Sequence, residues 1–523
     1  MRAITLRNSN DTWAPWILFV VTAAIYLCFP TRNYYWDGIA FAQTIEDAPQ
    51  LSAFLVHPNH LIYNIVGYVS YRAVQALGLN VKAITVLQVL NGILSAISCA
   101  LLFRILKQIT ASTYYAFTLS LLFAFSAAWW KFSTDADAYI PSILFLLLSF
   151  NLVLPNRQQR PLLVALIYSM SLCFHQIAII VFPTLVLAFL LDWNSLPRRQ
   201  RIGNALTFSG AAALITLTAY ISSFYLLTGA FRPARFMRWI MSYSADESFG
   251  FHPWNNLAYT LRGHLRLFFG GRLNALEGLL NPFLAVLIVI LVALLLILAF
   301  KIVRHFKNPG WQWLRALRQD PLRRTLALLC LLWISTYVIF LFLLFSAQTF
   351  YRLFYLPAII ILLGLVLHSY NLVAHPKRKY RLALFVAVLA IVNFLNLIFP
   401  YSHVQKYPPL ALTLEMHQVW PPGTVIYFGA QNSDNSLVKY INRGTLWKEL
   451  DPARLDVIEN ELRETNARGR TVWLEASAID RLSATPEGAE WLRRHAHEES
   501  RRSLVTKAHN MRFIQIVPSR NDD

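Results

Sequence analysis

Apolar residues in this chain form long uninterrupted runs, without the alternation of a water-soluble fold. Eleven runs stand out, at 13–29, 83–103, 113–130, 138–154, 162–174, 177–191, 204–228, 279–300, 325–346, 353–370 and 382–399. At ~1.5 Å per residue, most are long enough to cross a hydrocarbon core of ~30 Å. The polar connections alternate in character. Arg104 and Lys107, Arg157 and Arg160, Arg198, Arg199 and Arg201, the stretch from Lys301 to Arg324, and Lys377, Arg378, Lys379 and Arg381 fall in every second one. Together with Arg2 and Arg7, they place the N-terminus and these connections in the cytoplasm. The first run is long for a signal-peptide core and lacks a small-x-small cleavage site, so it reads as an anchor helix.

The segment 162–191 decides the parity. Both of its flanks are basic, so both belong inside, which requires a hairpin with its apex at Phe174-His175-Gln176. Each arm then spans only about 20 Å, and His175 sits below the outer surface in a protein-lined recess. The outer face receives 30–82, 131–137, the apex at 175, 229–278, 347–352 and the chain after Phe399. Within 229–278, Arg232, Arg235 and Arg238 recur at three-residue spacing beside Phe231, Phe236 and Trp239, a pattern suited to a helix lying in the headgroup layer.

After Tyr401 the pattern changes. Pro408-Pro409 and Pro421-Pro422 mark a linker, 424–428, 471–474 and 513–517 read as strands, and about 450–467 reads as a charged helix. The expected architecture is an α-helical polytopic membrane protein of about eleven transmembrane helices over 1–400. A small α/β extracytoplasmic domain follows at 401–523.

Composition agrees. The 523 residues are 56% hydrophobic and 14% charged, with a mean hydropathy of +0.44. The net charge of +20 lies in short loops, with no folded basic stripe of the kind that binds nucleic acid. Cys28, Cys99, Cys173 and Cys330 all lie in apolar runs with no paired spacing, which implies neither a disulfide framework nor a zinc site.

The outer segments hold the unusual polar residues. Asp37 follows Tyr34, Tyr35 and Trp36, and as a loop carboxylate it is either a helix cap or a general base. Asp135 and Asp137 add two acids in the second outer loop. Three acids on one membrane face are costly unless they share protons, bind a cation or meet a positive group. The Asp-x-Asp pair can hold a divalent metal through oxygen, though as a pattern it is short. His57, His60 and His175 are either structural hydrogen-bonding groups or donors to a phosphate oxygen. Arg352 begins the tenth span. Its loop is so short that the guanidinium is expected at the outer rim, where it either snorkels or grips a lipid phosphate. Lys131, Arg232, Arg235, Arg238, Arg262 and Arg266 are weaker candidates of the same kind. None of the eleven runs contains Asp, Glu, Lys or Arg, whereas ion-coupled transporters carry ionisable groups at the midplane. There is no P-loop, no strand-linked G-x-G-x-x-G and no H-E-x-x-H, which argues against a soluble nucleotide donor.

This ordered set resembles the GT-C superfamily of integral-membrane glycosyltransferases, and within it the bacterial branch similar to protein O-mannosyltransferases. Trp36-Asp37-Gly38 matches the branch's aromatic-Asp-x-Gly, His57-Pro58 its His-Pro, Asp135-Ala136-Asp137-Ala138-Tyr139 its acid-x-acid-x-Tyr, and His175 its histidine between two apolar runs. The tail segment 429–436 is similar to an Asp/Asn-rich turn of that branch. The sequence departs at Ile39-Ala40-Phe41, where the branch carries an acid, at Asn59 in place of a second proline, and in having Asp where the second-loop acids are Glu.

The resemblance implies inverting transfer of a sugar, mannose in the branch named, from a polyprenyl-phosphate donor to a hydroxyl on the outer face of the inner (plasma) membrane. Asp37 would be the base, with Asp135 and Asp137 assisting catalysis or holding any cation. Arg352, His175 and Lys131 would lie at the donor phosphate, and Trp36, His57, His60 and Tyr139 at the acceptor, whether protein, lipid or glycan. A lipid-linked glycan flippase or exporter, or an envelope polysaccharide assembly factor, would use the same surface residues without bond-making chemistry.

Overall fold

The computed structural model describes residues 13–154, 159–191, 196–245, 252–270, 282–304, 319–369, 376–429, 433–505 and 510–518. Arg2, Arg7, Arg157, most of the basic stretch 301–324 and part of the turn 429–436 lie outside the described residues. The chain divides into two compact units, Met1–Thr31 with Thr44–Pro400, and Arg32–Gln43 with Tyr401–Asp523.

Long apolar helices dominate the first unit. Among the described residues, six helices are long and apolar enough to cross a membrane: Ala83–Thr110, Arg198–Thr228, Pro282–Arg304, Pro321–Leu344, Phe350–Ser369 and Lys377–Tyr401. Shorter apolar helices occupy Ala14–Cys28, Thr113–Ala124, Tyr139–Val153, Pro161–Phe174 and Gln176–Leu190. Each apolar run of the sequence thus has its helix. The fold is α-helical and polytopic, with a small C-terminal α/β part.

The segment 162–191 reverses direction. The Tyr168 hydroxyl donates to the Ala178 carbonyl at 3.2 Å, and Tyr168 and Phe182 both pack on Phe208. In one continuous helix, residues 168 and 182 would be ~21 Å apart. Asn204 Nδ2 donates to Gln159 Oε1 at 2.6 Å and Arg201 donates to the Leu190 carbonyl at 2.9 Å, so both ends of the hairpin meet the start of the following helix.

The run 113–130 departs from a single span. It forms Thr113–Ala124 and then a short helix Ala127–Ser133, separated by extended backbone at Ser126. Asn393 takes up the freed carbonyl, its amide donating to Phe125 O at 2.8 Å and to Phe268 O at 2.7 Å. Just beyond it the helix widens into a π turn at Phe394–Ile398, where Phe394 stacks on Trp130. The connection 30–82 also carries helices, Trp36–Asp47 and Tyr63–Ala76, with a 3-10 turn at Pro58–His60. Segment 229–278 forms Pro233–Ala245 and Pro253–Phe269. In the first of these, Phe236 is buried while Arg235 and Arg238 are exposed, as is Arg232 just before it.

The second unit holds a five-stranded sheet made of β1 (Val425–Phe428), β2 (Leu446–Glu449), β3 (Val472–Glu475), β4 (Ala496–Val505) and β5 (Asn510–Ile516), in the order β2-β1-β3-β5-β4. β1 pairs parallel with β2 and β3, and β5 pairs antiparallel with β3 and β4. Alternate residues feed two cores. Val425, Tyr427, Val472, Leu474, Ile514 and Ile516 pack with helices Leu455–Ala467, Ala476–Ser483 and Pro486–His495. Ile426, Phe428, Trp473 and Phe513 pack with Leu412, Met416 and Trp420 on the other face. Burial on both faces explains why β1 and β3 read as apolar runs. β2 and β4 did not stand out in the sequence because they are the polar edges, Leu-Trp-Lys-Glu and an arginine-rich strand.

Candidate functional site

The membrane unit gathers most of the candidate residues around the apex of the 162–191 hairpin. His175 interrupts the helical pattern in extended conformation, capping the next turn by accepting from the Ile177 amide at its Nδ1, 3.2 Å away. With Nδ1 an acceptor, the proton of the neutral ring lies on Nε2. That buried Nε2 has no hydrogen-bond partner among the described residues.

Aromatic groups close the space around it. His60 meets the His175 ring edge-on at 4.6 Å, Tyr139 lies at 5.0 Å, Phe354 at 5.4 Å and Tyr351 at 5.7 Å. Tyr139 also stacks on Phe350 at 5.4 Å.

The His57-Pro58 turn is pinned to the same apex. Ile62 N donates to Cys173 O at 3.2 Å, the Tyr220 hydroxyl donates to Pro58 O at 2.9 Å, and His60 Nδ1 lies 3.4 Å from Phe174 O. Pro58 opens the turn, where its fixed φ fits and its missing N–H costs nothing. Burial, and then the neighbouring His57, push the His60 pKa down to about 3. His57 itself is exposed and uses Nδ1 to cap the turn at Asn59 N.

The second-loop acids are buried and organised. Asp135 pairs with Lys131 and also accepts from the Ala136 amide at 2.9 Å. Asp137 accepts from Tyr139 N at 3.1 Å, at the start of helix Tyr139–Val153. Asn91 donates to the Asp135 and Asp137 carbonyls at 2.9 and 2.7 Å, and Gln88 holds Thr31 O and Thr134 O. Burial raises the Tyr63 pKa well above the usual range, and Asp137 and then Asp135 raise it further, so that phenol stays protonated beside them. Among the described residues no group of three or more His, Cys, Asp or Glu is arranged to hold a metal ion. Lys131, with its charge already paired, is a weaker phosphate ligand than an unpaired cation would be.

The Arg352 side chain is fully buried in the 3-10 turn Phe350–Tyr355. Its guanidinium donates to the Gln348 carbonyl and, at 2.7 Å, to the Ser346 carbonyl, while Nε has no partner. No carboxylate is paired with it among the described residues. Gly263 of helix Pro253–Phe269 makes room, since a Cβ there would overlap the guanidinium. Tyr355 lies in hydrogen-bond reach of Arg352, and its hydroxyl is 3.0 Å from His264 Nε2. His264 Nδ1 faces Thr260 O at 2.8 Å, so Nδ1 donates there and Nε2 accepts from Tyr355. Burial lowers the His264 pKa, the Thr260 carbonyl acts against that, and the Arg352 charge lowers it further.

The structure therefore brings His60, His175, Tyr139, Asp135, Asp137 and Lys131 into one buried region. Arg352 lies in the same turn as the Phe350, Tyr351 and Phe354 rings that close it. Trp36 and Asp37 belong to the segment Arg32–Gln43, which groups with the tail in the second unit. Trp36 is exposed there and Asp37 is buried in the first turn of its helix. The residues that sequence reasoning missed are Gln88, Asn91, Tyr63, Gly263, His264, Tyr351 and Tyr355. Gln88 and Asn91, three apart within an apolar run, were a legible signal for a polar face.

The polytopic helical unit and the small α/β part together share their fold with solved structures. Among solved structures, the chain is similar to ArnT from Cupriavidus metallidurans bound to undecaprenyl phosphate, with a TM-score of 0.58 and 11% identity over 96% of this chain and 98% of that one. It is similar also to the apo state of that protein, with a TM-score of 0.56 and 12% identity over 97% and 98%. No protein-family model and no curated protein matches the sequence. At this identity the likeness establishes the fold.

Proposed function

We propose that this chain is a membrane glycosyltransferase that moves a sugar from a polyprenyl-phosphate donor to an acceptor hydroxyl with inversion. The observation that carries the reading is Arg352, a fully buried guanidinium paired with no carboxylate among the described residues. A buried charge without a counter-charge costs several kcal/mol, and an anionic ligand removes that cost. The likeness to a structure holding undecaprenyl phosphate supports a lipid-linked phosphate as that anion. The unpartnered His175 N–H offers a second donor to the same group.

In the proposed step Asp37 takes the acceptor's hydroxyl proton as the oxygen attacks the anomeric carbon. The bond from that carbon to the phosphate oxygen breaks, and its electron pair leaves with the phosphate. Arg352 and His175 stabilise the charge that develops there. Asp135 and Asp137 shape the loop through Lys131 and the Ala136 and Tyr139 amides. Mannose is the proposed donor sugar, by resemblance to the O-mannosyltransferase-like branch. The site is proposed to open on the outer face of the inner membrane.

The test is transfer by purified protein from a radiolabelled polyprenyl-phosphate sugar. A positioned base contributes ~10²–10⁴-fold, so Asp37→Asn is expected to lose at least that while folding normally. Arg352→Ala is expected to lose donor binding. Wild-type turnover in Asp37→Asn removes that residue from the mechanism, and carrier translocation without sugar transfer by the wild type replaces the enzyme with a flippase.

A further inference from the structure

An apolar groove lies between helices Thr113–Ala124 and Pro376–Asn393 of the membrane unit. Its volume is about 670 Å³. Phe117, Leu121 and Phe125 form one wall, and Ala383, Ala387 and Ala390 form the other. The alanines recur at the spacing that puts them on one helix face, which keeps the groove open. From Thr113 to Phe125 it runs ~18 Å along the helix, close to half of a ~30 Å hydrocarbon core. An alkyl chain of one leaflet fills such a slot.

One end of the groove is cationic. Lys379 Nζ sits 4.7 Å from the centre of the Tyr114 ring, and the Tyr114 hydroxyl donates to the Lys379 carbonyl at 2.5 Å. Lys107 reaches across from the neighbouring helix to the Thr113 hydroxyl. Thr113 and Tyr114 line the groove, so two lysines from separate connections converge on its mouth. Lys379 has no ion-pair partner among the described residues. Lys377 and Arg378 stand beside it in sequence. The mouth belongs to the two connections whose basic residues mark the cytoplasmic side in the sequence, whereas the proposed donor site lies in outer segments.

The geometry points to a bound anionic phospholipid, with its phosphate at Lys107 and Lys379 and one acyl chain in the alanine-lined groove. Charge complementarity at the mouth selects an anionic headgroup, and the length and apolar lining select a single chain. The inference is independent of the proposed transferase activity.

Native mass spectrometry of the delipidated full-length protein tests it, with phosphatidylglycerol and phosphatidylcholine of identical chains as probes. With two lysines at the headgroup, phosphatidylglycerol is expected to bind about tenfold more tightly. The variant Lys107→Gln/Lys379→Gln is expected to bind both lipids equally. Ala387→Phe, which fills the groove, is expected to lose phosphatidylglycerol, and Ala383→Leu serves if that variant does not fold. Equal binding of the two lipids by the wild type overturns the proposal. So does unchanged phosphatidylglycerol binding in a folded groove-filling variant, and so does competitive displacement by undecaprenyl phosphate, which reassigns the groove to the donor.

Discussion

At the scale of single residues, the informative feature is the packing that surrounds each charge. Arg352 is held flat against Gly263, so Gly263→Ala separates two effects. Alanine favours the helix by ~1 kcal/mol over glycine. Its Cβ nevertheless displaces the guanidinium from the Ser346 and Gln348 carbonyls. A charge-assisted contact of that kind is worth ~1.5–3 kcal/mol. Donor affinity is therefore expected to fall roughly 10- to 100-fold, and the melting temperature to fall because the lost contacts outweigh the helix gain, measured by donor titration alongside a melting curve. His60 supplies a pH prediction. Its folded pKa of about 3 lies below the ordinary 6.5, so between these values the unfolded chain binds more protons. Stability is expected to be complete above pH ~6.5 and to decline as the pH falls toward ~3, with His60→Gln flattening the profile of melting temperature against pH. His57, His60, His175, Asp135, Asp137 and Arg352 were visible in the sequence because ionisable or imidazole groups stand out between apolar runs. Gly263, His264 and Tyr355 were not, because their significance is a shape complementarity to Arg352 that no local pattern encodes.

At the scale of elements, hydropathy located the helices and missed where they break. The run 113–130 is apolar throughout, yet the chain turns at Ser126, because Asn393 some 268 positions away supplies the amide that the freed Phe125 carbonyl needs. A partner so remote leaves no trace in local periodicity. The hairpin at 174–176 was legible for the opposite reason, since the basic residues at both flanks constrain parity locally. Asn393→Leu keeps the side-chain volume and removes both donated bonds, leaving the Phe125 and Phe268 carbonyls without that amide. Each unsatisfied buried acceptor costs ~1–3 kcal/mol, so a destabilisation of ~2–5 kcal/mol is expected in a denaturation series. A second element-level test is Ala111→Gly. Ala111 ends helix Ala83–Thr110 with φ +51°, a left-handed conformation that costs a side-chain-bearing residue ~1–2 kcal/mol. The glycine variant is expected to melt higher, and an unchanged or lower melting temperature contradicts the reading of that turn.

At the scale of the whole molecule, the number of crossings decides which side of the membrane each segment meets. Counting 162–191 as one span gives an even total, and counting it as a hairpin gives an odd one. The hydrogen bonds from Asn204 to Gln159 and from Arg201 to Leu190 bring both ends of the hairpin together, which favours the odd count. The basic connections of the sequence predict the N-terminus inside, and on that expectation the odd count puts the tail outside. Cysteine labelling tests this directly. Cys28 is exposed and the other three native cysteines are buried, so Cys28→Ser gives a quiet background. Glu464→Cys places a thiol on the tail, where the side chain is 71% exposed, and Arg199→Cys places one at the basic start of helix Arg198–Thr228. A membrane-impermeant maleimide added to intact cells stripped of their outer barrier is expected to label the first and spare the second, with both labelled after lysis. The opposite pattern inverts the topology and removes the outer-face site with it. Five apolar runs separate Arg199 from the tail in either count, so the hairpin itself is read from Arg160→Cys, an exposed position just before it: labelling that matches Arg199→Cys keeps the hairpin, and labelling of only one of the two makes 162–191 a single crossing.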